Sequence, residues 1–224
     1  MKKLISIILC AAVLFSLASC KGENGGETTI PETTEKAGPM LTLDGGNVEV
    51  LSMNSADGIF VEDGRKIDVK QVASIVVQNN SSRMLADAEI WFKVNNEEYA
   101  SFEVMALPAG EKCVVMEKTA RTMKQEDNYV LDRSLSKFAY SDSTAENKNV
   151  DVQTEGSTIR ITNKTDSTLS TRITYRYFLN GMYYGGIAFT GEFKDIKPGE
   201  TMEKNSSIFG NDCKIVGVSD NLES

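Results

Sequence analysis

The stretch SIVVQNNSSRMLADAEIWFKV, residues 74–94, decides how this chain is read, because its pattern occurs twice. Ser74-Ile75-Val76-Val77-Gln78-Asn79-Asn80-Ser81-Ser82 lines up with Thr158-Ile159-Arg160-Ile161-Thr162-Asn163-Lys164-Thr165-Asp166, and Leu85 lines up with Leu169. Ala88, Ile90, Phe92 and Val94 then alternate with polar neighbours, and Ile173, Tyr175, Tyr177 and Leu179 do the same after a one-residue shift. A period of two is the mark of a strand with one face buried and one face wet. Further on, Asn95-Asn96 matches Asn180-Gly181, Tyr99 matches Tyr184, and Leu107-Pro108-Ala109-Gly110-Glu111 matches Ile196-Lys197-Pro198-Gly199-Glu200. A period of about 85 residues predicts a duplicated globular unit, not a solenoid.

The same alternation extends on both sides. Val48 and Val50, Ile75 and Val77, Ala100, Phe102 and Val104, and Val114 and Met116 keep the two-residue spacing. Asp57-Gly58, Asp63-Gly64, Asn95-Asn96 and Pro108-Ala109-Gly110 stand between the runs as expected turns. Several short strands at this spacing predict an all-β fold of two tandem antiparallel β-sandwiches, residues 47–141 and 150–224, joined by a polar linker at 142–149. Tyr129, Val130, Leu131, Leu135, Phe138 and Tyr140 complete the first unit as a strand or a short helix. The asparagine after each inner strand has a mechanical role in this reading, bonding nearby backbone as the chain turns.

The N-terminus reads as an address. Lys2 and Lys3 precede an apolar run from Leu4 to Ala18. That is shorter than the roughly 20 residues a membrane-spanning helix needs, and it suits the core of a secretion signal. The run ends in Leu17-Ala18-Ser19-Cys20, which resembles the bacterial lipobox. The resemblance implies a signal peptide over 1–19 and a diacylglycerol-carrying Cys20 as the first mature residue. Residues 20–46, rich in Gly, Thr and Glu, are expected to form a flexible tether from the lipid. The implied location is the extracytoplasmic face of the cell membrane, with the lipid on Cys20 as the membrane partner.

Composition removes several function classes. The formal charge is −8, and shedding Lys2 and Lys3 takes it to −10. With a pI near 4.8, the chain is not a nucleic-acid binder, which needs a basic face. It contains no histidine, so Ser-His-Asp and Cys-His relays and histidine-zinc sites are absent from the outset. The expectation is a protein without catalytic residues, metal or cofactor.

Four groups of residues are candidate sites. Cys113 and Cys213 remain once Cys10 leaves with the signal and Cys20 carries lipid. They either form a disulfide, which an extracytoplasmic setting permits, or serve as small strand residues. Asp44, Asp57, Glu62 and Asp63 lie near Gly-containing turns and offer oxygen ligands, but they lack the spacing of a calcium loop. Lys164, Arg172 and Arg176 are scattered and read as solvated faces. The aromatic residues are the strongest binding clue. If Ile90 and Phe92 point inward, Trp91 points outward beside Glu89 and Lys93, with Tyr99 on the same outer face, and Tyr183 and Tyr184 follow the later turn. Exposed rings at such positions anchor a protein partner or stack on a glycan. The alternative reading of these rings is cross-strand packing or the contact between the two domains.

The segment from Val48 to Gly64, the LPAGE turn and Tyr184-Gly185-Gly186-Ile187 resemble uncharacterised secreted proteins and lipoproteins of Firmicutes. The duplicated unit is similar, more loosely, to the Fn3-like and FxLYD-type modules of bacterial surface proteins, although the literal FxLYD string is missing. The resemblance implies Ig/Fn3-like sandwiches with a binding or scaffolding role, a carbohydrate-binding module being the alternative. It brings no activity and no catalytic residues.

Overall fold

A computed structural model describes residues 39–220. The signal peptide, Cys20 and most of the tether expected from the sequence lie outside them. The elements are β1 (Leu41–Leu43), a single 3₁₀ turn (Asp44–Gly46), β2 (Val48–Phe60), β3 (Ile67–Asn79), β4 (Met84–Val94), β5 (Glu98–Leu107), β6 (Lys112–Met116), β7 (Tyr129–Ser141), β8 (Val150–Glu155), β9 (Thr158–Asn163), β10 (Leu169–Leu179), β11 (Met182–Ile196), β12 (Thr201–Asn205) and β13 (Cys213–Ser219). The all-β sandwich expected from the alternation is what forms. The sheet includes residues before 47, because Leu43 is buried and β1 pairs with β2.

The repeat reappears in the hydrogen bonding. In the first half, β2-β3-β6 and β5-β4-β7 are the paired sets; in the second they are β8-β9-β12 and β11-β10-β13. Asn79 and Asn163 occupy the same place in each. Asn79 Nδ2 donates to the carbonyls of Arg83 at 2.8 Å and Leu107 at 3.0 Å, and its Oδ1 accepts from Ser81 N and Oγ. Asn163 Nδ2 donates to the carbonyls of Ser167 at 2.7 Å and Ile196 at 2.8 Å, and its Oδ1 accepts from Thr165 N and Oγ1. Each amide thus ties the end of an inner strand to the facing sheet, using groups that would otherwise be buried without partners.

The halves are not separate beads. Strands β6 and β11 pair in parallel through Cys113 with Tyr183 and Val114 with Tyr184, so one seven-stranded sheet runs β1-β2-β3-β6-β11-β10-β13. The β5-β4-β7 sheet packs on one face, sharing a core with Ile75, Val77, Cys113 and Val115 that extends to Tyr183 and Val216. The β12-β9-β8 sheet packs on the other face, against Ile173, Tyr175 and Phe193. On that second face the core also continues beneath the first half, through Val72, Val76, Val114, Met116, Tyr177 and Tyr184. The central strands are therefore covered on both faces, and Val114 and Met116 point away from the core that takes Cys113 and Val115. That corrects the expectation of one wet face for these strands. The consecutive apolar residues of Ile75-Val76-Val77 and Cys113-Val114-Val115-Met116 carry this signature of a doubly covered strand.

One turn differs from expectation. Asp57-Gly58 is not a hairpin turn; it lies inside β2 at a bulge, where Asp57 accepts from Gln71 N. The β2–β3 hairpin turns at Asp63-Gly64, as expected. This long arm folds onto β11, where Tyr184 Oη donates to the Ile59 carbonyl at 2.7 Å. Gly185 and Gly186 permit the approach, since a Cβ on the first would run into Val61 and on the second into the Glu103 carbonyl oxygen. Residues 142–149 run beside β13, with Val218 N donating to the Thr144 carbonyl.

Candidate functional site

Three places gather unusual side chains. The first is the outer face of the β5-β4-β7 sheet. Alternation turns Ala88, Ile90, Phe92 and Val94 into the core and leaves Asp87, Glu89, Trp91 and Lys93 on the outside. The partner strand contributes Tyr99, Ser101 and Glu103, cross-strand from Lys93, Trp91 and Glu89 respectively. Trp91 and Tyr99 meet edge to face, with centroids 6.3 Å apart and planes at 76°. Tyr99 is 48% exposed. Trp91 Nε1 points to Glu89 at 3.5 Å. Lys118 pairs with Glu103 at 2.6 Å. Burial, together with the nearby Glu103 and Glu89 carboxylates, raises the Asp87 carboxyl above its usual range.

The second place is a groove of about 360 Å³ where the β5-β4-β7 sheet stops over the central sheet. Tyr183, Ile215 and Val216 line it from the central sheet, and Met84, Pro108 and Ser143 line it from the covering side. Tyr183 is only 5% exposed and Tyr184 4%. Neither is a surface ring, which corrects the expectation that they extend an exposed aromatic row. Tyr183 packs edge to face on Phe178, and Tyr184 lies under the hairpin arm. Burial raises both phenols, Tyr184 to about 12.

The third is a buried charged junction at the end of the β6–β11 pairing. Where the two strands part, Met116 N and Gly186 N lose each other as neighbours, and the Glu62 carboxylate bridges them at 2.8 and 2.5 Å. Burial pushes the Glu62 carboxyl up to about 7, against the opposing pull of those two N–H groups and of Arg176. Arg176 is wholly buried. It donates through Nη2 to the Gly185 carbonyl and lies 5.5 Å from the centre of the Tyr183 ring, while Nε and Nη1 have no protein partner. This corrects the reading of Arg176 as solvated: its strand is outward-facing within its own half, but the first half covers that face. Arg172 keeps a half-exposed pairing with Glu192 at 2.8 Å.

The remaining candidates are dispersed. Asp63 pairs with Arg65, Asp44 accepts from Tyr140 Oη at 2.5 Å, and Asp57 holds Gln71 N, so each carboxylate has its own structural partner. Among the described residues no three metal-ligating side chains come together. Cys113 and Cys213 are free thiols. Cys113 is cross-strand from Tyr183 on β11, and Cys213 from Tyr177 on β10, so β6 and β13 are separated by two intervening strands. Three strand spacings amount to roughly 14 Å, twice the Cα separation of about 7 Å that a disulfide tolerates. Sequence reading names Glu62 and Arg176 but misses that both are buried at one junction. A charge in a turn, like Glu62, or alone in an alternating strand, like Arg176, looks solvated unless the covering layer is known. Comparisons with family models, curated proteins and solved structures return no match to this chain.

Proposed function

We propose that this chain is a non-catalytic binding or scaffolding protein, held on the extracytoplasmic face of the membrane by lipid on Cys20, that meets its partner through the Trp91–Tyr99 face. The observation that carries the reading is the edge-to-face pair of half-buried Trp91 with exposed Tyr99 on the outside of the β5-β4-β7 sheet. Aromatic residues at a surface supply large contact area for little lost side-chain freedom. A protein partner suits the geometry better than a glycan. A sugar ring stacks on coplanar aromatic faces, whereas these two planes stand at 76° and the tyrosines that would lengthen the row are buried.

A photo-cross-linking residue placed at Tyr99 in intact cells tests the contact, with the same residue at Thr154 on β8 as the distant control. An adduct at 99 but not at 154, lost with Trp91→Ala, is the expected result. Equal adducts at both positions, or none at either, would sink the reading. For the anchor, Cys20→Ser releases the protein from the membrane; a variant that stays bound refutes it.

A further inference from the structure

We infer that the partner of the Trp91–Tyr99 face is a protein segment that presents arginine side chains to it. This inference rests on the binding reading above and gives it a chemistry. The molecule makes one guanidinium–tyrosine contact itself, in the second half, where Trp91 takes the cation's place in the first. Arg176 holds in β10 the place that Trp91 holds in β4, each three residues before its strand ends, at Leu179 and Val94. By strand register Tyr183, and not the Tyr184 matched by sequence spacing, corresponds to Tyr99, each cross-strand from the residue just before that strand end, Phe178 and Lys93. In the second half, a guanidinium lies over the tyrosine ring at 5.5 Å and the first half covers the face. In the first half, the equivalent face is open, and Tyr99 carries no such cation among the described residues.

The charges around the open face complement a cation. Glu89 lies directly across from Glu103, with Asp87 the next outward residue on the same strand. Like charges in directly opposed positions destabilise a sheet, so an arrangement that keeps them gains from an incoming positive group. Lys93, Lys118 and Lys137 offset this only in part, three ammonium groups against the carboxylates of Asp87, Glu89, Glu103 and Asp132, on a chain whose formal charge is −8. Arginine fits better than lysine. Its planar guanidinium stacks on a ring and forks onto a carboxylate at once, as an ammonium cannot.

Trp91 is the only tryptophan, so its emission reports on this face alone. The test titrates a short peptide of alternating arginine and glycine into the full chain in detergent, with a citrulline peptide in parallel. Saturable change with the arginine peptide is expected. Glu89→Gln with Glu103→Gln should weaken it about tenfold, a loss of about 1.4 kcal/mol. Asp151→Asn with Glu155→Gln, on the distant β8, should leave it unchanged. Equal binding of the citrulline peptide overturns the inference, as does equal weakening by the distant pair, which would mean diffuse attraction to an anionic body. No saturation by the arginine peptide also overturns it. If the Tyr99 cross-link persists in that case, the binding face stands and only its cationic chemistry falls.

Discussion

Glu62→Gln should flatten a pH dependence that originates at one buried carboxyl. Glu62 bridges Met116 N and Gly186 N inside the junction, and burial holds its carboxyl at about 7 instead of 4.5. The folded state therefore binds this proton more tightly than the unfolded chain does. The stabilising contribution is fully present below pH 4.5 and is lost as pH rises toward 7 and beyond. At 1.36 kcal/mol for each pH step between those values, the loss from pH 4.5 to 7.5 is about 3 kcal/mol. Other carboxylates titrate over the same range, so the informative quantity is the difference between wild type and Glu62→Gln, measured by urea unfolding at both pH values. The substitution cannot titrate, and it turns an amide donor toward one of the two N–H groups, which adds a roughly pH-independent cost of about 1–3 kcal/mol. The wild type should exceed the variant by about 3 kcal/mol more at pH 4.5 than at pH 7.5. A difference that is the same at both pH values would refute the view that this carboxyl is desolvated, and with it the closed junction around Arg176.

Two further substitutions probe the duplicated architecture. Asn79→Ala and Asn163→Ala each remove the amide donor to a buried carbonyl, that of Leu107 or Ile196, and each should cost about 1–3 kcal/mol in urea unfolding; a loss below about 0.5 kcal/mol in either would mean that the amides are not structural ties. Gly186→Ala places a methyl group where the Glu103 carbonyl oxygen already sits, so β11 must move away from β5. Amide exchange should accelerate across Tyr183–Ala188 while remaining slow in β9, and unchanged exchange at the junction would show that the strands are not in close contact there.

How far the sequence reaches can be seen residue by residue. The strands around Ile90 and Phe92 are legible because alternation is a local property, fixed by the pleat whatever packs above it. Trp91 and Tyr99 are legible for the same reason, since three inward neighbours determine the direction of the fourth residue. The direction of Val114 against Val115 is not, because both faces of β6 are covered and alternation then carries no contrast. Tyr183 looks like Tyr99 in sequence, and only the layer above separates a ring that is 5% exposed from one that is 48% exposed.

The sequence by itself determined the all-β class, the repeated unit and its Asn–turn ties, and the outward direction of the Trp91–Tyr99 pair, because each depends on neighbours close along the chain. The tertiary structure alone decided that β6 and β11 weld the halves into one sheet, that Arg176 is buried with Glu62 as the nearby opposing charge, and that Cys113 and Cys213 stand strands apart. These depend on which edge meets which, and an unpaired strand edge exposes the same backbone groups whatever its sequence.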